Sequence, residues 1–146
     1  MNTSDIGIMK KVRQWFAYGN ADLRMAVHGF SLAENAPFHL IAFHAQQAVE
    51  KYLKGYLVFF GIEVPYTHNL VRLLGECPEH DKWEGNVQDL KFLTQYSITT
   101  RYPGIDEEVT EQEANDAVEI ARKVIDLIRS ALVKKGFEFT DAGRDR

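Results

Sequence analysis

The sequence predicts an all-α fold, an antiparallel up-and-down four-helix bundle with one extra short helix. Apolar residues recur at steps of three and four over four long stretches, no convincing strand pattern interrupts them, and Pro, Gly and capping residues punctuate their ends. A chain of 146 residues suits one domain with a real core, burying roughly two-thirds of the surface its unfolded form exposes.

The first helix is expected from about Asp5 to Leu32, with Val12, Trp15, Phe16, Leu23, Ala26 and Phe30 on its buried face. Gly19 and Asn20 weaken its middle and admit a kink. Asn35-Ala36-Pro37 breaks the pattern, and Pro37 suits the first turn of the second helix, which runs to Phe60 and stops at Gly61. Its apolar stripe is Ile41, Ala45, Ala48, Val49, Tyr52, Leu53, Tyr56, Leu57 and Phe60. Thr67 is placed as the cap of a short third helix from His68 to Glu76, which Cys77-Pro78 ends. The fourth helix is expected from Lys82 to Thr99, with Val87, Leu90, Leu93 and Ser97 or Ile98 inside. The last opens on the capping box Thr110-x-x-Glu113, buries Ala114, Ala117, Val118, Ala121, Val124, Ile125, Ile128 and Leu132, and closes at Gly136. The bundle therefore spans 5–136, and 137–146 is expected to be a flexible tail.

Composition narrows the function classes. A net charge of −4 argues against broad electrostatic binding of nucleic acid while leaving room for a local basic patch. The single cysteine, Cys77, rules out an internal disulfide, and a reducing cytoplasm is the expected setting. No apolar run reaches the roughly 18 residues that span a membrane, so no membrane role is expected. Seven acids lie between Asp106 and Glu119 with no Lys or Arg among them, and Arg129, Lys134 and Lys135 stand at the other end of the same helix. That asymmetry matches the helix dipole, and without a histidine among the acids no metal site is read there. There is no glycine-rich phosphate loop, zinc spacing or catalytic triad, so no cofactor is expected.

A second stripe runs beside the apolar face of the second helix. His44, Gln47, Lys51 and Lys54 recur at steps of three, four and three, so they share a face. An imidazole, an amide and two ammonium groups suit a phosphate or a partner's acidic surface; alternatively they pair with Glu50 or meet a facing helix. Arg101, at the end of the fourth helix, either grips a phosphate with two parallel hydrogen bonds or satisfies helix-end carbonyls. Tyr102 either stacks on a base or covers the bundle end. His68, read as the first residue of the short helix, either faces an anion among free backbone N–H groups or fixes the turn.

The order of His44-Ala45-Gln46-Gln47-Ala48-x-Glu50-Lys51-x-Leu53-Lys54, Gly61, Pro65-x-Thr67-His68-Asn69-Leu70, Leu73-Leu74, Tyr96 and Thr100-Arg101-Tyr102-Pro103, preceded by Trp15 and Ala21-Asp22-Leu23-x-x-Ala26, resembles the HEPN domain family, the higher eukaryotes and prokaryotes nucleotide-binding domain. The match runs from about Lys11 to Leu132. The resemblance implies a helical bundle, usually a homodimer, often paired with a minimal nucleotidyltransferase as toxin and antitoxin. Many members are metal-independent RNases whose signature is an Arg followed, after four to six residues, by a His at the dimer cleft. Here Arg101 is followed by Tyr-Pro-Gly-Ile-Asp-Glu-Glu-Val, and Arg24 with His28 and Arg72 with His80 stand at other spacings. The favoured expectation is a non-catalytic module that binds a nucleotide or docks a nucleotidyltransferase through His44, Gln47, Lys51, Lys54, His68, Arg101 and Tyr102. The alternatives are an RNase with a degenerate Arg/His site and a plain dimeric scaffold.

Overall fold

The computed structural model describes residues 3–98 and 102–140. Among them are five α-helices, three 3₁₀ segments and no strand: α1 Thr3–Gly29, a 3₁₀ segment Phe30–Asn35, α2 Phe38–Phe59, α3 Leu70–Glu76, a 3₁₀ segment His80–Asn86, α4 Val87–Thr94, a 3₁₀ segment Gln95–Ser97 and α5 Glu111–Lys134.

α2 is the centre of the bundle. It packs along α1 and against α5, α3 and the segment after α4. None of its residues from Ile41 onward is fully exposed. α1 runs antiparallel to it, because Gly29 lies against Ile41, Gly19 against Tyr52 and Gly55 against Phe16. Gly19 and Asn20, where a kink was possible, do not break the helix: α1 is continuous from 3 to 29. The physical reason is close packing. A Cβ on Gly19 would sit 2.8 Å from the Tyr52 ring and one on Gly55 2.6 Å from the Phe16 ring, so glycine on each helix lets the two backbones approach. Asn20 is buried there and accepts a hydrogen bond from the Tyr52 hydroxyl.

Both long-helix ends marked by glycine form as expected. Gly61 and Gly136 take φ of +70° and +90°, and the following N–H groups of Ile62 and Phe137 reach back to the carbonyls of Leu57 and Leu132 at 3.0 and 2.9 Å. The capping box of α5 forms with both reciprocal bonds. Every residue expected in its apolar stripe is buried.

Four expectations need correction. α1 ends at Gly29 rather than Leu32, and the chain tightens into a 3₁₀ turn that holds Ala33 at φ 54°. α3 begins at Leu70, because Asn69 rather than Thr67 is the cap: its side chain accepts from the N–H groups of Val71 and Arg72. The Thr67 hydroxyl instead accepts from Asn69 N–H, a local turn ahead of the helix. The expected helix from Lys82 to Thr99 is α-helical only over Val87–Thr94, with 3₁₀ turns on both sides. The tighter turn before it seats Trp83 in the core, tilted against Tyr56 at 5.7 Å between ring centres. At its far end Tyr96 is buried and donates to Glu113; of the two candidates for the inner position, Ser97 is half-buried and Ile98 exposed. Finally, residues 137–140, assigned above to the tail, fold back on the bundle. Phe137 is buried among Phe16, Phe59 and Phe139, and the Arg129 guanidinium lies 3.9 Å over the Phe139 ring.

Candidate functional site

The polar stripe of α2 forms two hydrogen-bonded clusters, each built around a carboxylate that its own four-residue pattern does not include. Asp22 reaches across from α1. Its Oδ1 lies 2.9 Å from His44 Nδ1, and its Oδ2 takes a close hydrogen bond from the Lys51 ammonium. Glu50 projects from α2 itself. Its Oε2 accepts from Lys54 Nζ at 3.0 Å, and its Oε1 lies 2.9 Å from His68 Nδ1 and accepts from Gln46 Nε2 at 3.2 Å. Gln46 also donates to the His68 carbonyl at 3.1 Å and accepts from Gln47 Nε2 at 2.8 Å. Five of the seven predicted site residues therefore fall in these two clusters, His44 and Lys51 on Asp22, and Gln47, Lys54 and His68 around Glu50 and Gln46.

Burial explains why these groups are paired. The Glu50 side chain is only 4% exposed, and an isolated carboxylate there would be strongly unfavourable. Lys54, His68 and Gln46 compensate it from three directions. The Lys54 side chain is 13% exposed and its ammonium sits 5.7 Å from the centre of the Trp15 ring. His44 and Lys51 are each about a quarter exposed, with Asp22 between and beneath them. His68 is two-thirds exposed. It precedes α3 as a tethered loop residue and is not the first residue of that helix, so the anion site expected from backbone N–H groups does not form around it.

The two ends of the stripe carry equal charge. Lys51 and Lys54 face Asp22 and Glu50 one for one, and each carboxylate also holds an imidazole. The lysines are thus not spare cations waiting for a phosphate.

Tyr102 stands elsewhere, on the loop before α5. It is exposed, its N–H donates to Asp106 at 2.8 Å, and it lines a half-open cleft of about 510 Å³ with Phe38 and His39 at the start of α2. Asp106, Glu107 and Glu108 line the same cleft, which opposes a phosphate. Arg101 lies outside the described residues.

Cys77 is buried. Burial, reinforced by Glu76, pushes its thiol up to about 12, and its Sγ donates to the Leu73 carbonyl. Nearby Tyr56 is pushed up to about 12 chiefly by burial, with Cys77 and Glu79 adding to it, and its hydroxyl has no hydrogen-bond partner among the described residues. Among the described residues no three His, Cys, Asp or Glu side chains come together as metal ligands would, and no helix is long and apolar enough to cross a membrane.

Asp22, Gln46 and Glu50 were visible in the sequence as polar residues at core-facing positions. Gln46 and Glu50 stand four apart among Ala42, Ala45, Val49 and Leu53, where an apolar stripe should have no polar member.

Comparison with known proteins bears on this arrangement. A family profile described as HEPN domain matches residues 12–131. Two solved structures share the fold. TT1696 from Thermus thermophilus superposes with a TM-score of 0.72 at 31% identity, covering 82% of this chain and 97% of that one. ST0689, described as an archaeal HEPN homologue, superposes with a TM-score of 0.66 at 27% identity, covering 82% of this chain and 96% of that one. No curated protein matches the chain.

Proposed function

This chain belongs to the HEPN domain family, and from that membership we propose that it is a non-catalytic docking module whose α2 stripe receives a minimal nucleotidyltransferase partner, as in a toxin–antitoxin pair. The observation that carries this reading is the internal pairing of Lys51 with Asp22 and Lys54 with Glu50. A phosphate site needs uncommitted positive charge. A protein interface instead uses polar groups fixed in place and balanced in charge, with apolar neighbours to exclude water. Such neighbours are present. Tyr18 and Met25 on α1, 62% and 60% exposed, flank Asp22 at three- and four-residue steps and so share its side of the helix.

The same two side chains favour a homodimer as a further use of this face, because a second copy would cover them. The nucleotide reading rests on the cleft beside Tyr102, whose volume suits a small ligand but whose three acids oppose phosphate.

The test is co-expression with a minimal nucleotidyltransferase. Wild-type protein is expected to retain the partner through size exclusion, and Lys51→Ala with His44→Ala to release it. Unchanged retention in the double variant would sink the docking reading. Calorimetric binding of ATP, GTP or short RNA that vanishes in Tyr102→Ala would favour the cleft instead.

A further inference from the structure

Uncommitted positive charge, absent from the α2 stripe, is found elsewhere in the molecule. A half-open cavity of about 360 Å³ lies between the 3₁₀ segment His80–Asn86 and the last turns of α5. Lys82, Lys134 and Lys135 line it, and Glu79 is the one carboxylate among the lining residues. Three ammonium groups against one carboxylate leave an excess of two positive charges. Asp81 and Glu84 belong to the same segment but stand outside the lining.

These lysines are loosely held. Lys82 and Lys135 approach the two oxygens of Glu79 at 3.5 and 3.8 Å, longer than the roughly 2.7–2.9 Å of a charge-assisted hydrogen bond. Lys134 has no acidic partner among the described residues. The helix dipole favours a cation at the end of α5, but it does not explain the cluster. The carbonyls of Leu132 and Val133 already accept from the backbone N–H groups of Phe137 and Gly136, so no lysine side chain is needed to cap them. Lys82 comes from a different element. Glu79 reaches its place between two lysines at φ 60°, a left-handed backbone unfavourable for a residue other than glycine.

We propose that this cavity binds a small phosphate monoester. Charge selects the class. A monoester carries about −1.5 to −2 at neutral pH and so matches the excess. A diester, as in a nucleic-acid backbone, carries one negative charge per phosphate and leaves half of it uncompensated. The Ser130 hydroxyl and the Asn86 amide line the same cavity and offer neutral donors to the remaining oxygens. Trp83 and the 41% exposed Leu127 give the organic part an apolar wall. The volume falls at the low end of the roughly 300–1,000 Å³ typical of small-ligand sites. Glu79 competes with the ligand for Lys82 and Lys135 and so lowers its affinity. The cavity shares no lining residue with the Tyr102 cleft and none with the α2 stripe, so the proposal stands apart from the docking reading.

Titration with phenyl phosphate, followed by proton–nitrogen NMR, tests it. The Trp83 indole and the amides of Asn86, Ser130 and Lys134 are expected to shift saturably, while those around His44 and Tyr102 stay in place. The methyl ester of the same compound, a monoanionic diester, should bind about tenfold more weakly, and Lys134→Ala should weaken phenyl phosphate by about tenfold, as for the loss of one charge-assisted contact. Glu79→Gln should tighten it severalfold, an effect that a merely structural cluster would not produce. No saturable shift by about 10 mM phenyl phosphate would overturn the proposal. So would equal binding of the diester, shifts centred on another surface, or unchanged affinity in both variants, whose altered side chains are solvent-exposed and leave the core intact.

Discussion

α2 and α5 are helices of similar length that use charge in opposite ways. On α5 the ionic residues stand on a solvated outer face. Lys123 reaches Asp89 at 3.3 Å with more than half its side chain in water, and the apolar stripe beneath contains a single polar member, Arg129. On α2 there is no outer face of that kind. Glu50 and Gln46 sit among its buried residues, and Lys51 and Lys54 are drawn inward to carboxylates. A helix built only to complete a core resembles α5. The burial of so many polar groups on α2 adds little to stability over an apolar alternative, which accords with the docking role proposed for that helix.

The sharpest way to break this contrast is Glu50→Ala, which strands Lys54 and His68; the expected loss is about 3 kcal/mol in denaturant unfolding, as for a buried pair broken on one side. A loss below about 1 kcal/mol would show that the α2 network is as loose as a surface pair. Alkaline pH tests the far end of α2. Cys77 in the folded chain ionises near 12, above its ordinary 9.0, so above pH 9 the unfolded chain releases a proton the folded one keeps. Stability should be level below pH 9 and then fall by about 1 kcal/mol per pH unit toward 12, with Tyr56 acting in the same direction. Cys77→Ala should flatten that fall, and an unchanged slope would assign it to other groups. On α5, Thr110→Ala removes the capping box and should cost about 1 kcal/mol by thermal melting. Smallest of all, Lys123→Ala should change stability by about 0.5 kcal/mol or less, whatever the salt concentration.

The same contrast explains what could be read from sequence. The whole stripe of α5, its cap and its glycine stop were legible because each is set by neighbours in the chain. The stripe His44, Gln47, Lys51 and Lys54 was legible as a face for the same reason. What it faces was not, since Asp22 reaches it from another helix and His68 reaches Glu50 from a loop, pairings that only the fold creates. The boundaries of α3 and α4 shifted because Asn69, two residues past the expected cap, offers a better-placed acceptor, and because seating Trp83 against Tyr56 overrides the propensity of its own segment. The return of Phe137 and Phe139 was hidden by the polar residues around them.

The Tyr52 hydroxyl donates to Asn20 of α1 and accepts from the Arg129 guanidinium of α5 at 3.1 Å. One phenol thus ties three helices together, and none can swing out without leaving buried polar groups unmatched. In hydrogen-exchange terms, the central amides of α1, α2 and α5 should behave as one cooperative unit, sharing a single slow opening free energy, while those of α3 and α4 exchange through smaller, independent fluctuations.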